Sequence, residues 1–322
     1  MPQATQNSGK ENAKTSIIRR KNIGPNVQVT CLGKRNGVNW SLSLYQGNTL
    51  TGKEATELFI RQQMHLVGLD FTGLIYSMRM AKDRVTMQPF HEDLFPDKYY
   101  LRGKTLSICK SAGANHFNAV TIPRGVTLAF PVADCLVAIF RDKKTGEVVA
   151  AHCGRDNLMH WEGKDWSKKE YPDSVVNSVL DYLIGTKGGR PQDIEVHTFC
   201  GIEAKYFSHP SNAPEYGKRE VGKRNRRMLN YLKHRGWFRC LQGPEEQGYL
   251  SLHNLLSLQC RSRSVPSVTH TDEVCDASGN LHVPKGTYGD PHSWSHREWY
   301  DRNANGDTDF VDGRNLVLVS VR

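Results

Sequence analysis

The sequence predicts an α+β fold organised as a single domain of mixed sheets packed with helices. Three observations carry that prediction. Short apolar, β-branched stretches bounded by Gly, Pro and Asx residues recur along the chain. Segments with helical spacing fall among them without a strict βαβ rhythm. No internal repeat and no linker-like stretch divides the 322 residues, enough for a sizeable core, into two.

The first 24 residues are polar and are expected to form a disordered tail, with the folded domain running over 25–322. VQVTCLG and VNWSLSLYQG read as a strand pair joined by KRNG, and KEATELFIRQQMHLVGL as a helix stopped at Gly68. LIYSM, RVTMQ, LSICK and AVTIP are short strand candidates. VTLAFPVADCLVAIF is too β-branched, and too broken by Pro131, for a helix; it reads as two buried strands meeting near Ala133. TGEVVAAHCG is a turn and then a strand ending on His152. DSVVNSVLDYLI is a helix with Asp173 as N-cap and Gly185 as stop. IEVHTFCGI is a further strand, GYLSLHNLLSLQCRSRSV is helical in its middle, and NLVLVSVR closes the chain as a strand.

Composition narrows the class. With 38% hydrophobic and 24% charged residues the chain reads as an ordinary globular protein. No run of 18 apolar residues exists, so no membrane partner is expected. The N-terminus has no apolar core behind its charges, so it is not read as a secretory signal. The eight cysteines stand singly, with no CxxC pair, which argues for a reducing compartment, the cytoplasm. The net charge of +10 is concentrated: KREVGKRNRRMLNYLKHR, from Lys218 to Arg235, holds eight Lys or Arg against one Glu, a net +7. Helical spacing gathers Val221, Met228, Leu229 and Leu232 on one side and leaves the bases to solvent. No aromatic interleaving accompanies them, so nucleic acid is not the expected partner.

Cys135 and His152 each sit at the end of an apolar strand, 17 residues apart, with Asp134 beside the first. Neighbouring strands could deliver both side chains to one point, and a thiolate with a neutral imidazole suits zinc or copper. A buried thiol and a hydrogen-bonded histidine are common in cores, and the pair alone favours that plainer reading.

Its surroundings add a resemblance. PVADCLVAIF followed by VVAAHCGRDNL resembles the signature of the laccase-domain family, once labelled polyphenol oxidase and known in bacteria as the peptidoglycan editing factor family. There an Ala-Asp-Cys strand precedes a His-Ala-Gly-Trp-Arg-Gly strand end. TELFIRQQMHLVGLDFTGLIYSM resembles the helix before that family's Gln-Val-His-Gly strand, and NAVTIPRGVTLAF its approach to the Cys strand. FCGIEAKYF is similar to the Gly-Pro-x-Ile segment, YLSLHNLLSLQC and VTHTDEVCD to the Leu-Asp-Leu helix and Cys-Thr strand, and HSWSHRE and DGRNLVLVSV to the closing elements. The matches are collinear from about residue 27 to 322.

The resemblance implies a metal-dependent purine nucleoside phosphorylase, with adenosine deaminase activity, acting on a small-molecule nucleoside and phosphate. Alternatives are a cytosolic amidase that edits peptidoglycan precursors, and a non-catalytic small-molecule binding protein with a degenerate site. The oxidase label is the weakest, because a laccase needs several copper centres and ligands for one are present. The implied metal is zinc, with copper second, held by Cys135 and His152. Aligning IYSMRMAKDRV on the Gln-Val-His-Gly strand puts Ala81 in the third ligand's place, so His91 or His116 would have to supply it. HCGRDN also lacks the family's Trp, Arg155 falls one place early, and Asp276 stands where the family has Thr. Asp134, Arg155, His296 and Arg297 are the catalytic candidates: the arginines for anionic oxygens, His296 for proton transfer.

DRNANGDTDFVD carries a second metal pattern. Asp301, Asn303, Asn305, Gly306 and Asp312 occupy positions 1, 3, 5, 6 and 12 of a calcium loop, with Asp in place of the bidentate Glu. An Asx-rich turn without metal is the plainer reading of the same residues.

Overall fold

A computed structural model describes residues 17–34, 75–77, 86–95, 97–100, 107–110, 117–161, 174–213, 221–270, 274–275, 281–282, 286–290, 293–310 and 312–322. Two sheets carry the architecture. The larger contains β1 (Ile17–Ile23), β2 (Val27–Leu32), β3 (Ile75–Ser77), β5 (Asp97–Tyr100), β6 (Ser107–Lys110), β8 (Thr127–Val132) and β17 (Asn315–Val321), in the order β1-β2-β17-β8-β3-β6-β5. The smaller contains β4 (Met87–Gln88), β7 (Ala119–Thr121), β9 (Leu136–Asp142), β10 (Val148–Cys153), β11 (Ile194–Phe199) and β14 (Ser267–His270), in the order β14-β11-β9-β10-β7-β4. Two minor ribbons pair β12 (Leu241–Gln242) with β13 (Tyr249–Leu250) and β15 (Val274–Cys275) with β16 (Leu281–His282).

The smaller sheet is the middle layer, and strand alternation shows why. Val137 and Ile139 of β9, with Val148 and Ala150 of β10, face Val29, Leu128, Phe130, Val317 and Val319 of the larger sheet. Leu136, Ala138 and Phe140, with Val149, Ala151 and Cys153, face α1 (Arg155–Leu158), α2 (Val175–Leu180), α3 (Val221–His234) and α4 (Leu252–Ser262). Both faces of β9 and β10 are therefore buried, which is why their sequences are nearly continuous apolar runs rather than alternating ones.

The two strands expected to meet near Ala133 do so, but in different sheets. β8 ends at Val132 in the larger sheet and β9 starts at Leu136 in the smaller, so Ala133–Cys135 is the crossing point. Asn315 donates to the Ala133 carbonyl at 3.3 Å and the Ile202 amide to the Asp134 carbonyl at 3.1 Å, pinning the crossing from both sides.

Several local expectations shift. Residues 17–23, expected in the disordered tail, form β1, because Ile23 is buried and the strand pairs antiparallel with β2 through the Gly24 turn. VNWSLSLYQG, expected to pair with β2, and the helix over KEATELFIRQQMHLVGL lie outside the described residues. The helix cap is Ser174 rather than Asp173, its hydroxyl accepting from the Asn177 amide at 3.0 Å. Gly185 does not stop that helix; a wider turn carries it through Asp181–Thr186. α3 buries Met228, Leu229, Tyr231 and Leu232 and turns Lys223, Arg226, Arg227 and Lys233 outward, as the spacing predicts. Among the described residues no helix is long and apolar enough to cross a membrane.

Candidate active site

β9 and β10 run antiparallel with Val137 opposite His152 and Leu136 opposite Cys153. One step beyond the ladder, Cys135 therefore lies across from Gly154. Alternation sends Cys153 to the helical side and His152 to the side between the sheets. Gly154 records how tightly the site closes: a Cβ there would lie 2.9 Å from Cys135 Sγ, 3.2 Å from Asn157 Oδ1 and 3.3 Å from His152 Cε1. The strand-end pair read from the sequence is thus one cluster, with Asn157 of α1 as its third member.

His152 is buried, and burial holds its pKa at about 4, with an opposing contribution from its hydrogen bond to Asn157. The imidazole is neutral at pH 7. Its Nδ1 is buried and has no hydrogen-bond partner among the described residues. The Cys135 thiol is pushed up to about 12, first by burial and then by the carboxylates of Asp134 and Asp156, against Arg314 and Arg155. A neutral imidazole with an orphaned nitrogen beside a thiol fits two ligands of a zinc site, and zinc would have to displace the thiol proton.

The third ligand is a different matter. His91 caps the short turn Glu92–Leu94, is 71% exposed, and its Nδ1 sits 3.1 Å from the Asp93 carboxylate. No group of three or more His, Cys, Asp or Glu with metal-holding geometry exists among the described residues, so His91 does not complete a set with Cys135 and His152. Ala81, His116 and Asp276 lie outside the described residues.

Asp134 is engaged on both oxygens. Thr287 Oγ1 donates to Oδ1 at 2.6 Å, and the Arg297 amide, in the first turn of α5 (His296–Ala304), donates to Oδ2 at 2.8 Å. Burial raises its pKa against the hydrogen bonds from Thr287, Ser295 and the Arg297 amide. These contacts give Asp134 a positioning part: it fixes the start of α5 beside Cys135. Arg155 forks onto Asp156 at 2.7 and 3.1 Å. Arg297 bonds Asp301 at 3.0 Å and reaches Ser208 Oγ at 3.4 Å. His296 lies 54% exposed, stacked on Trp299, with Nδ1 3.1 Å from Asp312. Arg314 holds the same carboxylate at 2.5 Å. That carboxylate sits at about 2: burial opposes, but hydrogen bonds from His296 and Arg314 prevail.

The residues of the calcium pattern are engaged in other contacts. α5 runs on through Asp301 and Asn303, and Asn305 closes it by donating to the Asp301 carbonyl at 2.9 Å. Asp301 is paired with Arg297, Asp307 with Arg302, and Asp312 with Arg314 and His296. Helical backbone disperses ligands that a calcium loop must converge, and cations already neutralise the carboxylates.

Three site residues escape a reading by motif. Asn157 follows His152 by five positions and looks like a helix residue. Arg314 sits in the closing DGR. His209, buried in the loop after FCGIEAKYF, lies close enough to Arg155 and Arg297 for both to disfavour its charged form. Only the FSHP string following an aromatic pair could have drawn attention to it.

No family model and no curated protein matches the chain. Solved structures do. The Bacillus licheniformis hypothetical protein YfiH aligns over 92% of this chain and 93% of its own at a TM-score of 0.58 and 13% identity. The Neisseria meningitidis protein NMB0706 aligns over 95% and 99% at 0.56 and 15% identity. YlmD from Geobacillus stearothermophilus aligns over 95% and 99% at 0.51 and 15% identity. Identities this low establish architecture rather than activity, and on that footing the chain has the YfiH-type laccase-domain fold.

Proposed function

We propose that the chain is a cytoplasmic purine nucleoside phosphorylase acting on adenosine- and inosine-type nucleosides, with zinc held by Cys135 and His152. The observation that carries this reading is the convergence of the Cys135 thiol and the His152 ring at Gly154, with Arg155 and Arg314 close enough to act on the thiol. When bound there, zinc supplies a Lewis acid. The protein's own residues have separate tasks. Asn157 hydrogen bonds His152 and keeps the imidazole oriented, as outer-shell partners of metal-bound histidines do. Arg155 and Arg297 bind the phosphate oxygens. The phosphate attacks C1′ of the ribose, the glycosidic bond breaks, and its electron pair leaves with the purine. His296, oriented at Nδ1 by Asp312, gives the proton that neutralises the departing base.

The second reading, a small-molecule binding protein with a degenerate site, is favoured by one observation: no third ligand joins Cys135 and His152 among the described residues. One experiment separates the two. Purified protein is assayed for zinc and incubated with adenosine and phosphate. Adenine and ribose 1-phosphate are expected, and Cys135→Ala and His152→Ala should lose zinc and lower kcat/KM more than about a hundredfold. No zinc and no adenine would remove the phosphorylase reading. Turnover of a peptidoglycan precursor in its place would move the assignment to an amidase.

A further inference from the structure

We propose that Arg224 of α3 and Arg155 of α1 form one subsite for a phosphoryl group, with Asp156 between them as the residue that positions both guanidiniums. Its part as the holder of the reaction's phosphate rests on the phosphorylase reading; the subsite itself does not.

Arg224 stands apart from the other bases of its helix. Lys223, Arg226, Arg227 and Lys233 are exposed, whereas Arg224 is half-buried. The first turn of α3 is fixed in place. A Cβ at Gly222 would meet the carbonyl oxygens of Ala213 and Ser211 at 2.8 and 3.0 Å, and the buried Asn225 donates to the Pro210 carbonyl at 2.9 Å. Arg224 therefore leaves the helix at a set point, and its guanidinium carbon lies 5.2 Å from the centroid of the buried Trp161 ring. From there Nη2 reaches Asp156 Oδ2 at 3.5 Å. The same oxygen accepts from Arg155 Nη2 at 3.1 Å, while Arg155 Nε takes Oδ1 at 2.7 Å. Two guanidiniums from separate helices thus share one carboxylate, and two that touch a single oxygen are near enough for one phosphoryl group to bridge them.

The charge count says what the cluster takes. Burial works to raise the pKa of Asp156, but the hydrogen bond and charge of Arg155 and then the charge of Arg224 hold it below the ordinary carboxylate value, so it is ionised at pH 7. Two permanent cations against one anion leave the cluster positive. The side chains of Arg155, Asp156 and Arg224 are 19%, 24% and 43% exposed, so an anion reaches them from solvent. Planar donor forks match the several oxygens of a phosphoryl group better than a single-atom anion. Arg155 directly follows Gly154, against which Cys135 and His152 close, so the bound group lies next to the thiol–imidazole pair.

The test uses the full chain and calorimetry with inorganic phosphate and, separately, ribose 1-phosphate. Arg224→Ala should bind the phosphoryl ligand about tenfold more weakly. Arg224→Lys keeps a cation over Trp161, which guards the fold, but loses the fork, so it should recover only part of that affinity. Arg227→Ala removes the same charge from the exposed side of the same helix and should change the affinity less than about twofold at physiological salt. Dependence of either ligand on Arg224 supports the subsite, and which of the two binds tells free phosphate from a phosphate ester. Equal weakening in Arg224→Ala and Arg227→Ala, unchanged affinity in Arg224→Ala, full recovery in Arg224→Lys, or no binding of either ligand to the wild type would overturn the inference. If adenosine is not phosphorolysed but phosphate binding depends on Arg224, the phosphorylase reading fails and the subsite stands.

Discussion

His152 and His209 show what burial does to a titrating side chain. Each sits in low dielectric with its ring neutral; the first is held at about 4 by burial, the second at about 3 by burial and then by Arg155. In the unfolded chain both would titrate near 6.5, so between these values the unfolded state binds protons that the folded state does not. Stability is then complete above pH 6.5 and is lost as pH falls toward 4 and 3. In metal-free protein each histidine should contribute on the order of 3 kcal/mol to that acid loss. Urea midpoints measured from pH 7 to 4 check it: His209→Asn should flatten the profile, and an unchanged slope would contradict the burial argument.

α5 is the element on which the site turns. Its sequence, SHREWYDRNA, begins with a Ser295 cap accepting from the Glu298 amide at 3.1 Å, a signal readable from the Ser-x-x-Glu spacing. The second anchor, Asp134, comes from 163 residues away and could not be read locally. Asp134→Ala would strand Thr287 and the Arg297 amide in a buried place and should cost about 3 kcal/mol. Ser295→Ala should cost about 1 kcal/mol. Thermal melts of both variants give the comparison; equal losses would mean that the Asp134 contacts add little. The same helix bears on the calcium spacing. Asp301, Asn303 and Asn305 are spaced like loop ligands only while the backbone is extended, and helical pitch sends them to different sides.

At the scale of the whole molecule, β9 and β10 belong to two cores at once. Phe140 packs toward the helices and Phe130 of β8 toward the facing sheet, both fully buried. Phe140→Ala and Phe130→Ala should each cost about 3–5 kcal/mol. Because the middle sheet is shared, both should lower a single unfolding transition rather than split it. Tryptophan fluorescence and far-ultraviolet circular dichroism should therefore trace coincident curves in each variant; a separate melt of the helical layer in Phe140→Ala would show that the cores unfold independently.

The sequence by itself determined the strands that deliver the chemistry and their contents. Near-continuous apolar runs identify β8, β9 and β10 as doubly buried, and Cys135 and His152 are legible as polar residues at their ends because they interrupt those runs. Amphipathic spacing likewise places α3 with its bases outward. Only the tertiary structure decided what surrounds the pair. The crossing at Ala133–Cys135, the Asp134 clamp on α5, the approach of Asn157 and the loop that seats His209 all join residues far apart in the chain. Periodicity describes which side of an element is buried, but not which distant element buries it. For the same reason His91, plausible as a ligand by composition, lies exposed on a short turn, and the hold of Asp134 on the start of a helix 163 residues away is invisible in the sequence.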